Sequence, residues 1–95
     1  MINPFVSIDQ QLLDIGYVKQ YEGPKGFIYA KNAGGGNIHK AEALKAISNK
    51  NELKVRIYDP GIIYDSAVWI SEKELLLFSK KLKEWKGQYE RKDNN

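Results

Sequence analysis

The segment Trp69–Tyr89, WISEKELLLFSKKLKEWKGQY, decides how this chain folds. Ser71 suits a helix N-cap, and Glu74, three residues on, can accept from the cap's own N–H, which makes Ser71-Glu72-Lys73-Glu74 a capping box. Ile70 and Leu75 stand at the two positions of a hydrophobic staple. At about 100° per residue, Leu75, Phe78, Leu82, Trp85 and Tyr89 share one face. Lys80, Lys81, Lys83 and Lys86 gather in the later turns, where cations complement the helix dipole. Gly87 is the expected stop.

Upstream, Asn3-Pro4 can serve as N-cap and N1 of a first helix, Phe5 to Ile15, in which Phe5, Ile8, Leu12 and Ile15 repeat the spacing of the last helix. Ser7 with Gln10 offers a second start one turn later, and Gly16 ends the helix. Two helices with matching stripes need a shared partner or each other. Tyr17 to Glu22 and Phe27 to Lys31, rich in aromatic and β-branched residues, flank Gly23-Pro24-Lys25-Gly26 and read as a hairpin. With those four residues in the loop, Glu22 faces Phe27, and Tyr17, Lys19, Tyr21, Ile28 and Ala30 share the face assigned to the core.

The stretch from Ile38 to Lys50 reads as helix, with Ile38, Ala41, Leu44 and Ile47 spaced by three and alanine favouring helix. His39 and Lys40 oppose that reading, because they place positive charge where a helix dipole prefers negative. Leu53, Val55 and Ile57 alternate with Lys54, Arg56 and Tyr58 as a half-buried strand does, Asp59-Pro60-Gly61 turns the chain, and a strand to Trp69 follows. The expectation is one α+β domain over residues 1–90, a small mainly antiparallel sheet with both terminal helices on one face. Its order is α-β-β-α-β-β-α, with a strand as the alternative for the middle helix, and residues 91–95 form a frayed tail.

Ninety-five residues give one core and no room for a deep two-lobed site. With no cysteine there is neither a disulfide framework nor a thiolate metal site, and a single histidine, His39, gives no zinc pair. No metal or cofactor is expected. No apolar run approaches the roughly 20 residues of a membrane span, and Met1-Ile2-Asn3-Pro4 is unlike a signal peptide, so the expected location is the cytoplasm.

No catalytic motif appears. His39, Ser66, Ser71 and the aspartates form no nucleophilic site by spacing, and no nucleophile elbow occurs. The run Gly34-Gly35-Gly36 could cradle an anion before a helix, but it matches neither GxxxxGK[ST] nor GxGxxG, where His39 stands at the third glycine; it reads better as a flexible connector. The net charge is +3, with eight Lys or Arg between Lys19 and Arg56 against Glu22, Glu42 and Glu52. This basic middle makes Lys19, Lys31, Lys40, Lys54 and Arg56 the candidate nucleic-acid contacts, although arginine is scarce for base or bidentate phosphate recognition. Leu76 and Leu77 lie roughly 100° and 160° from the apolar stripe and call for a second contact, either with the Ile38 to Ile47 segment or with another copy of the chain in a weak homodimer.

A helix ending Leu12-Leu13-Asp14-Ile15-Gly16-Tyr17, a hairpin, further strands and a helix of the form Ser71-x-x-Glu74-Leu75-x-x-Phe78-x-x-x-Leu82-x-x-Trp85 together resemble small proteins of phages and mobile elements in low-GC Gram-positive bacteria. In such proteins the stretch matching Ile38 to Ile47 reads as strand. The N-terminal half also resembles HicA-type toxins, RNA-cleaving proteins with a catalytic histidine at the start of the second strand. This chain has Lys25-Gly26-Phe27-Ile28 there, so that activity is not implied. The expected function is a non-enzymatic interaction protein, an accessory factor of a phage or mobile element that binds a protein partner. The alternative is a nucleic-acid-binding regulator.

Overall fold

The computed structural model describes residues 6–45, 53–61 and 68–90. The chain is α+β: α1 (Ile8–Asp14), β1 (Tyr17–Gly23), β2 (Gly26–Gly34), β3 (Asn37–Leu44), β4 (Arg56–Tyr58) and α2 (Glu72–Tyr89). The four strands form one antiparallel sheet in the order β1-β2-β3-β4. Ser7 is the N-cap of α1, its hydroxyl accepting from the Gln10 N–H at 3.0 Å, so the later of the two expected starts is used. Asn3-Pro4 and the tail 91–95 lie outside the described residues.

The expected capping box opens α2. The Ser71 hydroxyl accepts from the Glu74 N–H at 3.1 Å, and the Glu74 carboxylate accepts from the Ser71 N–H at 2.8 Å. Gly87 does not stop the helix, which runs on to Tyr89 with Glu90 as C-cap. The buried face also differs from the expected stripe. Leu77, Phe78, Lys81 and Trp85 are buried with Glu74, whereas Leu75 is 62% exposed and Tyr89 is exposed too. Two charged residues occupy the core-facing side, which rotates the contact away from Leu75.

The first hairpin keeps the expected Glu22–Phe27 pairing but closes more tightly, with Gly23 opposite Gly26 and only Pro24 and Lys25 between the strands. Gly26 has φ +138°, and a Cβ there would stand 1.8 Å from the Ala43 carbonyl oxygen, so only glycine fits. A bulge at Gln20 changes the rest. Lys19 pairs with Tyr29 and Tyr21 with Ile28, so the extra residue puts Tyr17 and Lys19 on the face of Phe27 and Tyr29. The core face is therefore that of Tyr17, Phe27 and Tyr29. Tyr21, Ile28 and Ala30, expected inside, lie on the other face of the sheet.

The segment expected to be a middle helix forms β3 from Asn37 to Leu44; the strand alternative is the one that occurs. Register gives the reason. Ala41 and Ala43 stand opposite Tyr29 and Phe27, both alanines fully buried, and their small side chains leave room above the aromatic pair for Phe78 of α2. Helix propensity, worth only tenths of a kcal/mol per residue, yields to that packing. Gly34, Gly35 and Gly36 all have positive φ and turn the chain from β2 into β3. Phe78 meets Tyr17 and Tyr29 edge-on, with ring centroids 4.9 and 5.9 Å apart, and Asp9 of α1 accepts from the Tyr29 hydroxyl, so both helices contact one sheet face. The strand expected before Trp69 falls largely on residues 62–67, outside the described residues. Val68 and Trp69 themselves carry no strand pairing.

Candidate binding groove and the buried ionic hub

Two arrangements along α2 were not evident as sites in the sequence. The first is a buried ionic hub built where α1, β1 and α2 meet. Lys81, its side chain 1% exposed, donates to Asp9 at 3.0 Å, Glu22 at 2.7 Å and Glu84 at 3.0 Å. Lys19 reaches Asp9 at 2.6 Å and Glu22 at 2.9 Å. Burial alone would raise the Asp9 carboxyl, but hydrogen bonds from Lys19, Tyr29 and Lys81 outweigh it and hold the group at about 2. Burial opposes the charge on Lys81, yet its bonds to Glu22, Asp9 and Glu84 keep the ammonium protonated well above its ordinary range. The same competition lowers Glu22.

A smaller cluster pins the start of α2. Glu74 accepts from the Tyr17 hydroxyl at 2.8 Å and from Lys31 at 2.9 Å, and these bonds with those to Ser71 carry its carboxyl against burial to about 2. Burial and Glu74 together push the Tyr17 hydroxyl up. These clusters join elements distant in sequence. The carboxylates converge on ammonium groups, and among the described residues no group of three or more His, Cys, Asp or Glu is placed to hold a metal.

The second arrangement lies on the other flank of α2. A groove of ≈ 510 Å³ runs between Leu53, Val55 and Ile57 on one wall and Leu75, Phe78 and Leu82 on the other, with Val68 and Ile70 completing it. Trp69, between those last two residues, is 96% exposed. A free indole beside an apolar groove is the kind of side chain that anchors interfaces. The polar groups along the groove are Ser79, Lys54 and Lys86. Neither lysine has an ion-pair partner among the described residues, and Lys73, Lys80 and Lys83 of α2 have none either.

The five candidate nucleic-acid residues do not form one patch. Lys19 and Lys31 are on the helix-covered face, paired with Asp9 and Glu22 and with Glu74. Lys40 is on the other face of the sheet, 3.9 Å from the buried Glu42. Arg56 stacks over Tyr58 at 4.1 Å, and only Lys54 reaches the groove. Leu76 is half-exposed, but Leu77 is 2% exposed and belongs to the core, so the adjacent leucines are not one surface. Gly34–Gly36 links two strands rather than a strand and a helix, which removes the helix N-terminus that an anion cradle would need. His39 sits opposite Lys31, its Nδ1 buried without a partner.

What the sequence could have signalled is the mismatch around Leu75. A staple position with a tryptophan next to it is more apolar surface than one sheet contact consumes. No family model matches the chain, and neither the curated proteins nor the solved structures show a match to it.

Proposed function

We propose that the chain is a small non-enzymatic interaction protein that docks a protein partner on the groove flank of α2, as an accessory factor of a phage or mobile element acting in the cytoplasm. The observation that carries the docking is the apolar groove with the exposed Trp69 beside it. The setting rests on the sequence resemblance. It is compatible with the described residues, in which no helix is long and apolar enough to cross a membrane. A homodimer through Leu76 and Leu77 is not retained, because Leu77 is in the core.

The nucleic-acid reading loses support because Lys19 and Lys31 are neutralised within the fold. Filter binding to mixed DNA and RNA at two salt concentrations separates the two. Neutralised phosphates would make affinity fall steeply with salt. The docking reading expects no retention at low salt, together with a host protein that co-purifies with the native chain and is lost from both Trp69→Ala and Leu75→Glu variants. Salt-sensitive retention of nucleic acid, with no such partner, would replace it by the regulator.

A further inference from the structure

The walls of the α2 groove are aliphatic and aromatic, so whatever enters them is apolar. Charge then narrows the occupant. Lys54 stands on one wall and Lys86 on the other, and both lack a carboxylate among the described residues. On the other flank of α2, Lys81, Lys19 and Lys31 are matched by carboxylates. Among the described residues, the groove lining holds Lys54 and Lys86 and no acid. From Leu75 to Lys86 the groove follows α2 for about 17 Å at the helical rise of about 1.5 Å per residue, room for some three turns of a second helix. Trp69 and Leu76 extend exposed apolar surface beyond the groove itself, further than a compact small molecule would need.

We infer that the groove takes an acidic amphipathic helix of another protein, its apolar residues one turn apart entering between the walls and its Asp or Glu side chains meeting Lys54 and Lys86. The inference rests on the docking reading proposed above and specifies the partner's chemistry. Helix-in-groove recognition uses anchors at i, i+3 or i+4, and i+7, a spacing that fits a groove walled on one side by a helix.

The test uses the full chain and a labelled helical peptide of about three turns with leucines at those spacings and glutamates on the flanks. A second peptide carries lysine in place of glutamate, and dodecanoate serves as a small amphiphile. Fluorescence anisotropy at low salt is expected to show the acidic peptide binding at least tenfold more tightly than the basic one. Lys54→Glu combined with Lys86→Glu should weaken the acidic peptide by about tenfold and strengthen the basic one, and added salt should narrow the difference. Both positions are at the groove margin, and circular dichroism checks that the variants remain folded.

Equal binding of both peptides, unmoved by charge reversal but abolished by Leu75→Glu, overturns the acidic partner and leaves the docking reading standing. Binding of neither peptide, or binding that survives both Leu75→Glu and Trp69→Ala, overturns the two together. Saturable binding of dodecanoate with no binding of the acidic peptide assigns the groove to a small amphiphile instead and overturns the inference.

Discussion

Lys81 and Lys86 lie little more than one turn apart on α2, yet their surroundings are opposite. Lys81 points to α1 and β1, where Asp9, Glu22 and Glu84 enclose it, and it is as buried as any leucine of the core. Lys86 borders the groove without a carboxylate among the described residues. Among the described residues the difference lies in where the acids stand, and it gives α2 one flank that packs into the fold and another that borders the groove.

Breaking the packed flank should have the largest effect. Trp85 is fully buried, stacks on Tyr89 and donates from its indole to the Gly23 carbonyl at 2.8 Å. Trp85→Ala should cost about 3–5 kcal/mol in urea unfolding. Lys81→Ala is expected to cost less, about 1–3 kcal/mol, because Asp9 and Glu22 keep Lys19 and Glu84 is partly exposed. Lys81→Met with Glu22→Leu should recover much of that loss, since an apolar replacement of a buried pair is often neutral. Failure of the double variant to recover would show that the hub has a role beyond packing.

Much of this packed flank was legible in the sequence, and the misses have physical causes. Ser7, Ser71 and Glu74 were readable because capping is local chemistry, and Glu22 opposite Phe27 followed from the turn. The bulge at Gln20 was not, since an inserted residue leaves no period-two signature. Counting only apolar residues placed the face of α2 on Leu75 and Leu82, because buried Glu74 and Lys81 contribute nothing to such a count. β3 was misread because Ala41 and Ala43 are chosen by the aromatics opposite them rather than by backbone preference. For the groove, a single exposed tryptophan was the available signal, and burial of neighbouring residues could not be foreseen from spacing.

Acid should separate the flanks more gently. Asp9 falls from 3.8 to about 2 and Glu74 from 4.5 to about 2 in the fold, so each contributes stability above its ordinary value that is lost as pH falls through about 2. Stability measured by denaturant should therefore decline from about pH 4 to pH 2, and Asp9→Asn should flatten part of that decline. An unchanged slope in the variant would mean that Asp9 is not held ionised by Lys81 and Lys19. The smallest effects belong to the groove flank. Leu75→Ala, Lys54→Ala and Lys86→Ala should each change stability by no more than about 0.5 kcal/mol, because these side chains lie at the exposed side of the groove and none of them is buried.

The division between a structural and a binding flank is tested most directly by amide chemical shifts of isotope-labelled protein titrated with the acidic amphipathic peptide. Perturbations are expected at Val55, Ile57, Trp69, Ile70, Leu75 and Leu82, with the Trp69 indole shifting most and Asp9, Glu22 and Lys81 unmoved. Shifts confined to the other sheet face around Val18, Tyr21 and Ile38, or no shifts at saturating peptide, would contradict the account.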